Sequence, residues 1–225
     1  MTHALVTGTS SGIGRAIAQR LLDSDWRVTG FDLAAPAITH AAFRAVTLDI
    51  TDKRASLAAL DASPGITALV HAAGIMRGGM LGSLDLAAGE QLWRLHVEAA
   101  VMLADRLAPR LTQGGRIVLI GSRAARGVMA KSQYGAAKAA LVGLARAWAK
   151  ELAPRGVTVN VVAPAATETA MLTDPARADT PPAEVPPMGR RILPEEVAAL
   201  VAFLLSKEAA AITGQEIAIC GGASL

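Results

Sequence analysis

The sequence predicts an α/β protein: a doubly wound parallel sheet of about seven strands with helices on both faces. Short apolar segments alternate with longer helical patterns, without internal repeats, which is typical of βαβ units. The length of 225 residues suits one domain, so we expect residues 1–225 to form a single unit. A hydrophobic fraction of 52% against 18% charged residues predicts a large buried core.

Seven segments are predicted as strands because they are short, rich in Val, Ile and Leu, and apolar on both faces, as buried parallel strands are. In chain order they are Ala4–Val6, Arg27–Phe31, Arg44–Leu48, Ala68–His71, Arg116–Ile120, Thr158–Val162 and Glu216–Ile219.

Five longer segments between these strands have helical patterns: Gly12–Ser24, Lys53–Asp61, Ala88–Leu111, Ser132–Ala153 and Pro194–Ser206. The last of them has a proline and two acids in its first turn, a favourable helix start. Strands and helices in this order form right-handed crossovers in a Rossmann-type sheet, which binds ligands outside the carboxyl ends of its strands.

One long irregular segment, Thr173–Arg191, carries five prolines. It follows the sixth predicted strand, at the ligand-binding edge of such a sheet. Loops of this length in compact domains are usually functional or disordered, which favours a substrate lid near residues 170–191. A plain surface connection is the alternative.

Composition argues against several other classes of protein. The net charge is only +3, and no basic stripe indicates nucleic-acid binding. No apolar run is long enough to span a membrane, and the N-terminal residues lack the pattern of a signal peptide. The single cysteine, Cys220, cannot form an internal disulfide and fits a cytoplasmic location. The histidines show no metal-ligand spacing, so we expect no catalytic metal.

A glycine-rich loop joins the first predicted strand to the first helix: Thr7-Gly8-Thr9-Ser10-Ser11-Gly12-Ile13-Gly14. Gly8 permits a sharp turn, Gly12 lets the backbone approach a pyrophosphate, and Gly14 lets the helix pack close to the sheet. The helix then offers free N–H groups and a positive dipole to phosphates. The loop therefore predicts a dinucleotide site.

Asp32, at the end of the second predicted strand, bears on which dinucleotide binds. Its carboxylate can accept hydrogen bonds from ribose hydroxyls and would repel a 2′-phosphate, while neighbouring Leu33 supplies no cation. We therefore expect NAD, with NADP less favoured. Arg15 and Arg27 could still lie near a phosphate, and an ordinary turn aspartate is the alternative interpretation.

Further motifs follow in a fixed order: Leu48-Asp49-Ile50, His71-Ala72-Ala73-Gly74, Ser122, Tyr134-Gly135-Ala136-Ala137-Lys138, Val159-Asn160-Val161-Val162-Ala163-Pro164, Thr213-Gly214-Gln215-Glu216 and Gly221-Gly222. Together with the glycine loop, they make the whole chain resemble the short-chain dehydrogenase/reductase family. This resemblance implies hydride transfer between a nicotinamide cofactor and an alcohol or carbonyl. It also implies that Asp49 and Ile50 hold the adenine and Thr169 the nicotinamide side.

The resemblance and the loop together give one set of cofactor-binding candidates. They are Gly8, Ser10, Ser11, Gly12, Ile13, Gly14, Asp32, Leu33, Asp49, Ile50, Ala72, Ala73, Gly74, Tyr134, Lys138, Pro164, Thr167 and Thr169.

Tyr134 and Lys138 are four residues apart at the start of a predicted helix, so they share one face. A cation one turn away and the helix dipole favour the tyrosinate, which makes Tyr134 a candidate acid/base. Ser122 can hydrogen-bond the same substrate oxygen.

His96 is the fourth candidate catalytic residue, standing where the family usually has an asparagine that supports a water relay to the lysine. A relay role, with activity coupled to pH near the ordinary histidine pKa of about 6.5, and a packed helix histidine remain equal alternatives. Two further departures are a Ser122–Tyr134 spacing one residue shorter than usual and Pro164-Ala165 in place of Pro-Gly.

The substrate is less defined. Arg77, Arg123 and Arg126 fall in segments that border the expected pocket, which suggests an anionic substrate; solvated loop arginines are the alternative. The sequence is similar both to dehydrogenases of dihydroxy-cyclohexadiene carboxylates and to 3-oxoacyl-thioester reductases. A non-catalytic dinucleotide-binding regulator is a competing function.

Apolar residues around two long predicted helices, including Trp93, Val101 and Trp148, indicate subunit contacts. The family resemblance implies a homotetramer, with a dimer as the alternative.

Overall fold

A computed structural model describes residues 2–175 and 180–225, and its centre is one parallel sheet of seven strands. The strands are β1 (His3–Thr7), β2 (Arg27–Asp32), β3 (Phe43–Thr47), β4 (Ala68–His71), β5 (Arg116–Ile120), β6 (Thr158–Pro164) and β7 (Glu216–Ile219). Their order, β3-β2-β1-β4-β5-β6-β7, confirms the predicted doubly wound sheet. The order reverses between β1 and β4, where a crevice opens at the strands' carboxyl ends.

Helices cover both faces of the sheet. They are α1 (Gly12–Leu22), α2 (Lys53–Asp61), α3 (Leu86–Trp93), α4 (Ala99–Leu107), α5 (Ser132–Leu152) and α6 (Pro194–Leu205). Helices α1 and α6 pack in one core, and α2, α4 and α5 pack in the other. None of the helices in the described part of the chain is long and apolar enough to cross a membrane.

Strand β1 shows why continuous apolar runs are required. Leu5 lies in the core beneath α4 and α5, whereas Ala4 and Val6 lie in the core beneath α1 and α6, and all three are fully buried. Successive strand residues point to opposite faces, so a strand covered on both sides needs apolar residues at every position.

The helix predicted over Ala88–Leu111 differs from the observed one. It begins at Leu86, widens into a π-helical segment at Arg94–Glu98, and ends in a 3₁₀ turn at Ala108–Arg110. A π segment inserts an extra residue into a turn, so it changes which side chains face the sheet. His96 lies in this segment and is fully buried.

The predicted lid lies partly outside the described residues, since 176–179 belong to it. On its N-terminal side, Ala170–Leu172 form a 3₁₀ turn. On its C-terminal side, the Met188 N–H donates to the Gly221 carbonyl at 3.0 Å, which ties residues 180–191 to the end of the chain.

Candidate active site

A cavity of about 1190 Å³ opens at the carboxyl edge of the sheet, where the loops after β1, β2, β4, β5 and β6 converge. Every predicted catalytic and cofactor residue lines it except Ser10. The two ends predicted separately from sequence, the glycine loop and the Tyr134–Lys138 pair, therefore share one cavity.

The glycine loop is packed so closely that side chains are excluded. Gly8 has a φ of +78°, and a Cβ there would lie 2.9 Å from the Ala73 Cα. A Cβ on Gly14 would overlap the Gly8 carbonyl oxygen. The loop after β1 thus lies directly on the loop after β4, leaving backbone exposed toward the cavity.

Helix α1 begins without a capping side chain. Ser11 stands at its N-cap and makes no side-chain cap bond, whereas Asp52 and Asp85 cap α2 and α3 with their carboxylates. The first N–H groups of α1 are therefore available, and the helix dipole adds positive potential. This arrangement fits the pyrophosphate of a dinucleotide.

Asp32 is fixed at the edge of the cavity. Its Oδ2 accepts from the Ser10 N–H and its Oδ1 from the Ala34 N–H, each at 2.8 Å. Ser10 acts through this bond and does not line the cavity itself. Carboxylate oxygens have further lone pairs, so Asp32 can still accept hydrogen bonds from ribose hydroxyls.

Asp49 and Thr169 border the cavity on two other sides. Asp49 Oδ1 accepts from both the N–H and the hydroxyl of Thr51, at 2.9 and 2.8 Å, so its carboxylate shapes a turn at the cavity's edge. The Thr169 side chain packs against Gly12, where a Cβ would lie 3.1 Å from the Thr169 Cγ2.

Thr7 and His71 join the β1 and β4 loops to the π segment, a role that the sequence did not reveal. Thr7 Oγ1 accepts from the N–H groups of Ala72 and Ala73, both at 3.0 Å, and lies 3.1 Å from His71 Nδ1. The hydroxyl therefore donates its one proton to Nδ1. His71 Nε2–H then donates to the Leu95 carbonyl at 3.1 Å.

His96 makes the reciprocal bond. Its Nε2–H donates to the Ile75 carbonyl at 2.9 Å, while its buried Nδ1 has no hydrogen-bond partner among the described residues. His71 and His96 together form a histidine clamp that holds the loop after β4 against the π segment. Burial and the nearby Lys138 cation lower the pKa of His71 to about 3 and hold the pKa of His96 well below 6.5.

Lys138 and Tyr134 lie beside this clamp. The Tyr134 ring meets the His96 ring edge-on, with centroids 5.6 Å apart, and Lys138 Nζ lies 5.9 Å from the Tyr134 ring centroid. Lys138 Nζ donates to the Ile120 carbonyl at 2.7 Å. Burial lowers the pKa of Lys138 from 10.5 to about 7, so small changes in its surroundings control its charge near neutral pH.

Ser122 lies two residues after the end of β5, at the start of a 3₁₀ turn. Its Oγ accepts from the Ala124 N–H at 3.1 Å, which uses only a lone pair and leaves the hydroxyl proton for another acceptor. A 3₁₀ turn over Arg123–Arg126 lies between Ser122 and Tyr134.

The three arginines considered for substrate binding differ in position. Arg77 pairs with Asp174 at 3.4 Å and Arg126 with Glu216 at 3.5 Å, and neither lines the cavity. Arg123 does line it. Within residues 2–175 and 180–225, no group of three His, Cys, Asp or Glu side chains is placed to hold a metal ion.

Further lining residues come from the predicted lid and from the end of the chain. Residues 181–187 form part of the wall, as do Gly222, Ala223 and Leu225 at the end of the chain. Gly222 lies against Pro187, where an added Cβ would be 3.3 Å from the Pro187 Cβ. Nothing in the local pattern pointed to Leu225.

Comparisons with known proteins cover nearly the whole chain. The model of a family described as enoyl-(acyl carrier protein) reductase matches residues 8–224. A 3-oxoacyl-(acyl-carrier-protein) reductase of Vibrio cholerae is 37% identical over 239 residues, covering 97% of this chain and 96% of the relative. The 2,3-dihydroxy-2,3-dihydro-p-cumate dehydrogenase of Pseudomonas putida is 34% identical, covering 99% and 94%.

Among solved structures, a short chain dehydrogenase from Burkholderia cenocepacia in complex with NADP is similar with a TM-score of 0.87. It is 35% identical, and the match covers 100% of this chain and 98% of that one.

Proposed function

The chain belongs to the short-chain dehydrogenase/reductase family, and we propose that it uses NAD(H) to interconvert an alcohol and a ketone, with Tyr134 as the acid/base. The observation that carries this proposal is the shared cavity: the glycine loop, Ser122, Tyr134 and Lys138 all line it. A bound nicotinamide ring would supply or accept the hydride.

The chain's own residues would handle the proton and the orientation of the substrate. Tyr134 takes the proton from the alcohol, or returns it to the carbonyl oxygen. Ser122 uses its hydroxyl to hold that oxygen in place. When Lys138 is protonated, as it is near and below its pKa of about 7, it stabilises negative charge on the phenolate oxygen of Tyr134.

NAD(H) is proposed as the cofactor because of the charges around the ribose end. Asp32 faces that end of the cavity, while Arg15 and Arg27, which could neutralise a 2′-phosphate, do not line it. The NADP in the Burkholderia structure belongs to that protein. The test therefore compares kcat/KM for NADH and for NADPH.

The cofactor proposal predicts the behaviour of Asp32→Asn. This variant keeps the shape of the side chain but removes the charge, so the ratio of kcat/KM for NADH over NADPH should fall by about 10-fold. Arg15→Ala is the control and should leave the ratio unchanged. An unchanged ratio in Asp32→Asn would refute the role of the carboxylate.

The catalytic proposal predicts the behaviour of Tyr134→Phe. Fluorescence titration should show unchanged NADH binding, because the ring is kept, while turnover should fall by at least about 100-fold, as expected when a general acid/base is removed. Tight cofactor binding without Tyr134-dependent turnover would favour the regulator function instead.

Two substrate classes should be tested first because relatives act on them. The names of those relatives specify a 3-oxoacyl group on a carrier protein and a dihydroxylated p-cumate ring. Acetoacetyl thioesters and carboxylated cyclic diols are the corresponding probes.

A homotetramer is the proposed assembly, with a dimer as the alternative. Trp93 and Val101, on α3 and α4, are 45% and 37% exposed. A groove between α4 and α5 is lined by Val101 and Trp148. Apolar helix faces of this kind are typical of subunit interfaces.

A further inference from the structure

Arg123 occupies an unusual position in the cavity wall. It directly follows Ser122, the residue proposed to hold the reacting oxygen, and begins the 3₁₀ turn after β5. Ser122 and Arg123 both line the cavity, so an anion held by Arg123 would share that cavity with the reacting oxygen. The turn also fixes its backbone, because Ser122 caps that turn through the Ala124 N–H.

Charge pairing separates Arg123 from the other arginines. Arg77 and Arg126 have carboxylate partners outside the cavity, and Arg94, which lines the cavity, pairs with Glu90 at 2.6 Å. Across the described ranges, 2–175 and 180–225, Arg123 makes no salt bridge. It is only partly exposed, so bulk water does not surround its guanidinium fully.

The acids of the cavity do not neutralise this arginine. Asp32 and Asp49 lie at the ribose and adenine end, and both are engaged with backbone N–H groups. Glu184 lies in the wall segment 181–187 and makes no salt bridge with Arg123. A guanidinium fork with no carboxylate partner matches a planar carboxylate, which can accept two parallel hydrogen bonds.

We propose that Arg123 binds a carboxylate of the substrate, so that the substrate is a hydroxy or oxo acid; this inference rests on the proposed function. Ser122 would hold the reacting oxygen and Arg123 the carboxylate of the same substrate, since both side chains line one cavity. A simple 3-oxoacyl thioester has no carboxylate on its acyl chain, so it offers Arg123 no such partner. Arg123 would then determine specificity without taking part in proton transfer.

The experiment compares an acid with its ester on the same ketone skeleton. The probes are 3-oxocyclohexane-1-carboxylate and its methyl ester, with 3-oxobutanoate and its methyl ester as a second pair. The variants are Arg123→Gln, Arg123→Lys and two controls, Arg126→Gln from the same turn and Arg77→Gln. Each is assayed with NADH for kcat/KM.

Wild type should prefer each acid over its ester, and Arg123→Gln should lower kcat/KM for the acids by about 10- to 100-fold, the range for a lost charge-assisted hydrogen bond. The esters should be unaffected. Arg123→Lys should recover part of the preference, since it keeps the charge but loses the fork. The two control variants should match wild type.

Equal turnover of acid and ester by wild type, or an equal loss of both in Arg123→Gln, would overturn the inference. A failure of the proposed function looks different: no turnover that depends on Tyr134. In that case, calorimetric binding of cyclohexanecarboxylate to the NADH complex tests Arg123 separately. Binding lost in Arg123→Gln but kept in Arg126→Gln would support the anion site, and no binding to wild type would refute it.

Discussion

Lys138 is the most strongly perturbed cation in the described site. Its ammonium is buried beneath Tyr134 and donates to the Ile120 carbonyl. Burial without a carboxylate partner disfavours the charged form, which is why its pKa falls to about 7. A group poised near neutral pH can change charge at little cost, as residues that assist proton transfer must.

This burial predicts a pH-dependent stability. Between about pH 7 and 10.5 the unfolded chain keeps the Lys138 proton and the native protein does not. The free energy of unfolding should therefore rise with pH across this window, by at most about 1.4 kcal/mol per pH unit. Urea denaturation of wild type and Lys138→Met at pH 7 and 9 measures the contribution.

The difference between the two proteins isolates Lys138, because all other titrating groups are common to both. Wild type should gain stability relative to Lys138→Met as the pH rises. Parallel pH dependences would show that the native lysine keeps an ordinary pKa.

At the level of elements, the histidine clamp connects the loop after β4 to the π segment. His71 bonds the backbone of Leu95, and His96 bonds the backbone of Ile75. Each ring carries a proton on Nε2, because a carbonyl can only accept, and burial lowers the pKa of both rings, which favours the neutral form. A titrating relay at His96 near pH 6.5 does not fit the low pKa that burial imposes on it.

The clamp predicts that His96→Asn and His96→Leu differ. Asparagine can still donate to the Ile75 carbonyl, whereas leucine leaves that acceptor buried and unpaired, which should cost about 1–3 kcal/mol of unfolding free energy. Chemical denaturation measures this cost. His40→Asn, at an exposed histidine, is the control and should change stability little.

The same variants test the relay. If His96 is a positioning residue, wild type and His96→Asn should show the same pH profile of kcat near pH 6.5. A step in kcat near pH 6.5 that appears in wild type and in His40→Asn, but is absent in His96→Asn, would support the relay interpretation instead.

For the whole molecule, the uncovered faces of α4 and α5 are the proposed site of subunit contact. Val101 and Trp148 line one groove there, so a charge at Val101 should oppose burial of that groove in an interface. Val101→Glu should lower the mass measured by light scattering below that of wild type.

Leu81→Glu is the matched control, because Leu81 is 91% exposed on a loop and lies outside that groove. It should keep the wild-type mass. If Val101→Glu keeps the wild-type mass, this groove is not part of the subunit interface.

The strands, the glycine loop and the Tyr134–Lys138 spacing could all be predicted from the sequence. Each depends on short-range information: apolar runs of strand length, glycines where backbone must approach backbone, and two side chains one helical turn apart. The parallel, doubly wound character of the sheet followed from the alternation of strands and helices.

The tertiary structure alone decided the features that depend on distant segments meeting. Ala88–Leu111 reads as one uninterrupted helix, yet the π segment turns His96 inward to bond the Ile75 carbonyl. Arg123 and Arg126 look alike in sequence, yet only Arg126 meets a carboxylate, from β7. Local pattern cannot specify such contacts, because they arise when chain segments far apart in sequence pack at the same edge of the sheet.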